Sequence, residues 1–143
     1  MQFWDTSGLL SLVLKDGHYR RACQWLMSAR EPHITSSLVI FEAENRLHAL
    51  QMEHVLSKDD YSQCLTALRL LVSSRLITER HLRNTRSLSA ECRRLITVTS
   101  PHVVHSSMDV LHVASALVLK SDSFRTFDRK QNSLAIAAGL VAS

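Results

Sequence analysis

Four carboxylates fall where they could do chemistry. Asp5 closes an apolar run in "FWDTS" and Asp128 closes another in "RTFDR". Asp109 sits in the first turn of the helical stretch "SMDVLHVASAL", and Glu42 lies inside "SSLVIFEAENRL". Brought to one place, four such groups repel, and some take up protons unless a cation neutralises them. Oxygen-only ligation suits Mg²⁺ or Mn²⁺, which keep water and share ligands with phosphate. Water on such an ion is a nucleophile at neutral pH, and a phosphodiester is the natural target of an acid-lined divalent site.

Each acid also has a plainer role. Asp5 and Asp128 fit helix N-caps, the commonest job for Asp at a strand-to-helix junction. Asp109 fits a capping arrangement with Ser106 and gains from the helix dipole. Glu42 is harder to place in solvent. Helical spacing groups it with Leu38, Phe41, Asn45 and Ala49, a stripe expected to face at least partly inward, where an unpartnered acid is costly. Glu44, beside Ile40, Leu47 and His48, shares that ambiguity. His112, three residues after Asp109, is expected to pack, and no catalytic role is assigned to it.

The elements that must hold these residues alternate along the chain. A short strand, Gln2–Asp5, precedes an apolar helix through Leu9, Leu10, Leu12 and Val13. Residues 18–29 form a second helix, with Ala22, Trp25, Leu26 and Ala29 on one stripe. Pro32 breaks it, and a strand is expected around His33–Thr35. Ser36 or Ser37 then caps a helix from Leu38 to about His54. Ser57 with Asp60 resembles a capping box leading into Leu65, Leu68, Leu71 and Val72. A strand is expected within 76–83 and a helix from Ser89 to Ile96, ending before the "TSPH" turn. The helix capped by Ser106 follows, with Ala114 and Ala116 letting it lie close to a sheet. "DSFRTFD" is a strand, 130–138 a helix and "GLVAS" a last short strand. Short strands alternating with helices predict a parallel α/β sheet with helices on both faces, because parallel strands need crossovers. In such sheets ligands bind beyond the carboxyl ends of the strands.

Composition narrows the class. Apolar residues make up 45% and charged residues 21% of 143, which fits a globular rather than a disordered chain. Three Gly and two Pro argue for long helices and short loops, not hairpins. No repeat, low-complexity tract or linker divides residues 1–143, so a single domain is expected. The net charge of +4 permits a polyanionic partner without demanding one. Cys23, Cys64 and Cys92 are odd in number and widely spaced, as expected of buried free thiols in a reducing compartment. "HVVH" at 102–105 has usable metal spacing but no acidic or Cys partner nearby, so chance explains it better. The N-terminus lacks a basic region, and no apolar run approaches the ~20 residues of a spanning helix. A cytoplasmic protein with no membrane segment is the expectation.

Against that background the chain resembles the PIN-domain ribonucleases, most closely the VapC-like toxins of type II toxin–antitoxin systems. "SSMDVLHVASALVLKSDSFRTFDRKQNSLAIAAGL" resembles that family's D-x-LH-x-A-x-A helix, its FxTFDxRQ strand end and its A-x-x-AGL helix. "FWDTSGLL" resembles the opening hydrophobic-D-x-S stretch, and "TSSLVIFEAENRL" the helix carrying an acidic residue, with Asn45 and Leu47 in pattern. Residues 55–105 match only in helical character. Lys130 displaces the usual basic position, and "VVHSS" stands where related chains carry Gly and Arg. The resemblance implies a three-layer α/β/α fold with a short central parallel sheet flanked by helices. It implies that Asp5, Glu42, Asp109 and Asp128 hold Mg²⁺ or Mn²⁺, supported by the hydroxyls of Ser7 and Thr126. On this view Asp128 is at once helix cap and metal-shell acid. The implied activity is a metal-dependent endoribonuclease toxin leaving 5′-phosphate and 3′-hydroxyl ends, with Arg129 and Lys130 as candidate RNA contacts. The implied partners are RNA, a small antitoxin that blocks the acidic cleft, and a second copy in a homodimer. The alternative is a PIN-like module that binds RNA or protein without cutting.

Overall fold

The computed structural model describes residues 1–28, 31–98 and 104–143. Ala29, His102, Val103 and the "TSPH" turn lie outside the described residues. Five strands, β1 (Gln2–Trp4), β2 (His33–Ser36), β3 (Thr78–Arg80), β4 (Ser123–Arg125) and β5 (Val141–Ala142), form one sheet in the order β3-β2-β1-β4-β5. Every pairing is parallel. The helices are α1 (Thr6–Leu14), α2 (Tyr19–Ser28), α3 (Ser37–Met52), α4 (Lys58–Ser73), α5 (Thr85–Val98), α6 (Ser107–Val118) and α7 (Arg129–Ala137).

Strand order and crossover hand explain the layers. The chain steps from β1 outward through β2 to β3, then returns to the other side of β1 for β4 and β5. Right-handed crossovers therefore put α1–α4 on one face and α5–α7 on the other. The helix contacts agree: α1 packs on α2, α3 and α4, whereas α6 packs on α5 and α7. The fold is the three-layer α/β/α arrangement expected. β1, covered on both faces, is wholly buried, as parallel sheets require. Phe3 aligns with Ile34 on one side and Phe124 on the other, and the rings of Phe3 and Phe124 stack 5.5 Å apart. Each of these rings adds about 1.5–3 kcal/mol by burial at the centre of the sheet.

Several boundaries shift from the sequence reading. Strand β4 ends at Arg125, and Thr126–Asp128 form the turn into α7. Helix α5 begins at Thr85 rather than Ser89. A strand does occur within 76–83, and Ser36, one of the two candidate caps, accepts from the Val39 amide in front of α3. The expected inward stripe of α3 is corrected: Val39, Ala43 and Leu47 are buried, while Phe41 is 67% exposed and Asn45 is exposed. All three cysteines are free, yet only Cys64 is buried. Ala114 and Ala116 have no exposed surface, consistent with close approach of α6 to the sheet. Among the described residues no helix is long and apolar enough to cross a membrane.

Candidate active site

The return of the chain across β1 leaves a crevice above the carboxyl ends of β1 and β4, the place where such sheets bind ligands. Asp5 stands there as the N-cap of α1, with no exposed surface. Its Oδ1 accepts from the Gly8 amide at 2.8 Å and the Ser7 hydroxyl at 2.9 Å. Its Oδ2 accepts from the Thr126 hydroxyl at 2.8 Å. Burial pushes the carboxyl up to about 6, against the opposing pull of Gly8, Thr126 and Ser7 and of nearby His112. No cation pairs with Asp5 among the described residues.

Asp128 is tied to the same network. It caps α7, its Oδ1 accepting from the amides of Lys130 at 2.7 Å and Gln131 at 3.0 Å. Its own amide donates to Thr126 Oγ1 at 2.9 Å. Ser7 Oγ accepts from the Phe127 amide at 2.8 Å. Thr126 and Ser7 thus lock the β4–α7 turn onto the β1–α1 turn.

Glu42 reaches the crevice from α3. Its Oε2 accepts from Thr6, the neighbour of Asp5, and lies 2.6 Å from His112 Nε2. An ionised carboxylate only accepts, so Nε2 is the donor, and Nδ1 is buried without a partner among the described residues. The bond from His112 holds the Glu42 carboxyl below its usual range despite burial. Asp109, 8% exposed, forms a full capping box: the Ser106 amide donates to its Oδ2 at 2.7 Å, and its amide to Ser106 Oγ at 3.1 Å.

The structure therefore joins Asp5 to Asp128 through Thr126, and Glu42 to the first turn of α1 through Thr6. Among the described residues Asp109 makes no bond to the other three; His112, which bonds Glu42, lies one turn further along α6. Among the described residues no three His, Cys, Asp or Glu side chains are grouped closely enough to hold an ion as they stand. The donor chemistry still fits a hard divalent ion. Glu42 Oε1, Asp109 Oδ1 and Asp128 Oδ2 accept no hydrogen bond among the described residues, and Asp5 is a buried anion without a counter-charge. α1, α3, α6 and α7 all start at this edge, so their dipoles favour negative charge here.

Sequence reasoning missed two residues. The packing role expected of His112 holds, since it is fully buried, but it also donates to Glu42. Its position one helical turn from Asp109 was the available signal, because residues three apart share a face. Thr6 carried no signal beyond its adjacency to Asp5. Arg129 and Lys130 are both exposed, and only Arg129 lines a cleft of about 450 Å³ beside the Thr126–Asp128 turn.

An acid-bearing crevice at the switch point of a doubly wound parallel sheet defines a class of α/β proteins that act on ligands at the strand ends. The family is specific: the PIN domain model matches residues 3–137, and the chain belongs to the PIN domain family. No curated protein matches the sequence. Among solved structures, VapC20 of Mycobacterium tuberculosis, described as a Sarcin-Ricin loop cleaving toxin, superposes with a TM-score of 0.69 at 18% identity, over 99% of this chain and 97% of that one. FitAcB from Neisseria gonorrhoeae gives 0.68 at 18% identity, over 99% and 96%. PAE2754 from Pyrobaculum aerophilum gives 0.63 at 17%, over 99% and 82%. At such identities the likeness shows the fold.

Proposed function

We propose that this chain is a metal-dependent endoribonuclease, the toxin of a type II toxin–antitoxin module, with Asp5, Glu42, Asp109 and Asp128 as its Mg²⁺ or Mn²⁺ ligands. The observation that carries the reading is Asp5: a PIN-domain chain keeps a fully buried carboxylate, without a cationic partner, at the carboxyl end of its central strand. A divalent ion, when bound, lowers the pKa of water and neutralises charge on the attacked phosphate. The chain's own residues supply the rest. Ser7 and Thr126 fix the direction of Asp5, Thr126 also holds the backbone at Asp128, and His112 with Thr6 orients Glu42. The RNA substrate, a small antitoxin covering the acidic crevice, a homodimer and a cytoplasmic setting belong to the same proposal, as does a single domain over residues 1–143.

Incubation with a structured RNA is expected to give cleavage with Mg²⁺ or Mn²⁺ and none with EDTA. Cleavage that persists in EDTA would remove the metal from the mechanism. The engagement of every acid by protein donors favours a second reading, a module that binds RNA or a protein partner without cutting. That reading requires calorimetry to show no divalent-ion binding while RNA still binds.

The His112–Glu42 bond gives a separate expectation. His112→Phe keeps the volume roughly but removes the donor, and a hydrogen bond to a charged group is worth about 1.5–3 kcal/mol. Cleavage is expected to fall about 10–100-fold, the usual effect of losing a residue that orients a metal-binding carboxylate. His112→Gln, which can still donate, should fall less. Comparing turnover and unfolding midpoints of both variants is the check; wild-type turnover in His112→Phe would deny His112 any part in orienting Glu42.

A further inference from the structure

Beside the carboxylate network lies the cleft of about 450 Å³ bounded by Arg21, Trp25, Phe127, Asp128, Arg129 and Asn132. Its side chains carry two arginines against one carboxylate, Asp128, whose Oδ1 is turned to the amides of Lys130 and Gln131. The Arg21 guanidinium carbon stands 5.5 Å from the Trp25 ring and that of Arg125 5.7 Å from the same ring. Arg125 is fixed by bonds to Gln2 and Ser143. Burial first, and then the like charge of Arg21, lowers the Arg125 guanidinium, with Glu31 pulling the other way. Glu31 is itself engaged, 3.2 Å from the terminal amine. Among the described residues neither Arg21 nor Arg129 pairs with a carboxylate. The floor is rigid: Phe127 is stacked between His18 at 4.4 Å and Trp25 at 4.5 Å. The cleft shares Thr126 and Asp128 with the acidic crevice, so the two adjoin.

We propose that this cleft is a subsite for an RNA backbone phosphate flanking the one attacked, with Arg21 as its principal ligand and Arg129 as its second. The proposal rests on the ribonuclease reading above and extends it to a residue on α2, a helix that carries none of the four acids. Both Phe127 faces are covered by other rings, so the cleft offers no open stacking platform for a base. Planar guanidinium groups match phosphate oxygens in pairs. The contact is therefore to backbone and independent of base sequence.

The test is binding of a labelled single-stranded RNA by the full chain in EDTA, followed by fluorescence anisotropy across a salt series. Arg21→Gln is expected to weaken binding about tenfold, the low end for a hydrogen bond to a charged group. The slope of log K against log salt should become shallower by about 0.7, one phosphate contact on a single strand. The loss should be the same for oligonucleotides of different sequence. Ser133→Asp, which places a negative charge in the cleft from an exposed position of α7, should weaken binding similarly. Arg86→Gln, exposed on α5 and outside the cleft lining, should change little. An unchanged salt slope in Arg21→Gln, a loss confined to one base sequence, or an equal loss in Arg86→Gln overturns the subsite. Unchanged RNA affinity with lost binding of a poly-Glu peptide would hand the cleft to an acidic protein segment and overturn it as well. Because binding is read without cleavage, a chain that binds in this pattern but never cuts would defeat the nuclease reading alone.

Discussion

Asp5→Asn is expected to cost at least about 100-fold in RNA cleavage and yet to stabilise the metal-free chain near neutral pH. Both effects have one origin. The carboxyl of Asp5 titrates near 6 in the fold, against an ordinary value of 3.8, because it is fully buried. The folded state therefore binds this proton more tightly than the unfolded state. Stability from this group is fully present below 3.8, declines as pH rises, and is gone above about 6. The whole span corresponds to about 3 kcal/mol. Asn is neutral throughout, so the variant lacks this decline and gains up to that amount near pH 7. Part of the gain is offset, since an amide N–H₂ must face the hydroxyls of Ser7 and Thr126. Glu42 works in the opposite sense: its lowered carboxyl adds stability above 4.5 that is lost as pH falls below it. Urea unfolding between pH 5 and 7 separates the two. Without metal the wild-type chain should weaken across that window and the variant should not; added Mg²⁺ should restore the wild type alone. A variant less stable than wild type at pH 7 would mean that Asp5 is not a strained anion waiting for a counter-charge.

What the sequence could and could not disclose follows from the range of each interaction. Asp5, Asp109 and Asp128 were legible because helix caps are local: the donors that hold them lie two or three residues away. The parallel sheet was legible because short apolar runs alternate with helical ones, which leaves few other topologies. Helix α3 misled on its face because Leu38, Val39, Ile40 and Phe41 are apolar in succession and cover every direction round the axis. Only packing selects Val39, Ala43 and Leu47 from that run, the small Ala43 fitting where a larger side chain would hold the helix off. Glu42 still reaches the crevice, from the border of the buried stripe. Its partner His112 is 70 residues away, and no periodicity records a contact of that range. The same holds for Arg21, which shares a cleft with Arg129 only once α2 and α7 come together in the fold.

Gly8→Val is expected to cost about 1–3 kcal/mol of stability, as overpacking a filled site does, and about 100-fold in cleavage through displacement of Asp5. A Cβ at Gly8 would stand 3.0 Å from the Arg125 carbonyl oxygen, 3.2 Å from Trp4 Cε3 and 3.4 Å from Asp5 Oδ1. The Arg125 carbonyl cannot move freely, because it accepts from the Asp5 amide at 3.2 Å at the seam between β1 and β4. Trp4 has no exposed surface and no room to retreat. Gly8→Ala asks for only a few tenths of an ångström and gains up to about 1 kcal/mol of helix propensity, so it should remain folded with a smaller loss. Val adds two methyl groups in the same space, forcing α1 away from β4 and carrying the Gly8 amide off Asp5 Oδ1. Unfolding midpoints and turnover of the two variants, measured together, check this. If Val lowers stability but leaves turnover intact, the first turn of α1 absorbs the added carbons and the close approach of Gly8 to β4 has no part in positioning Asp5.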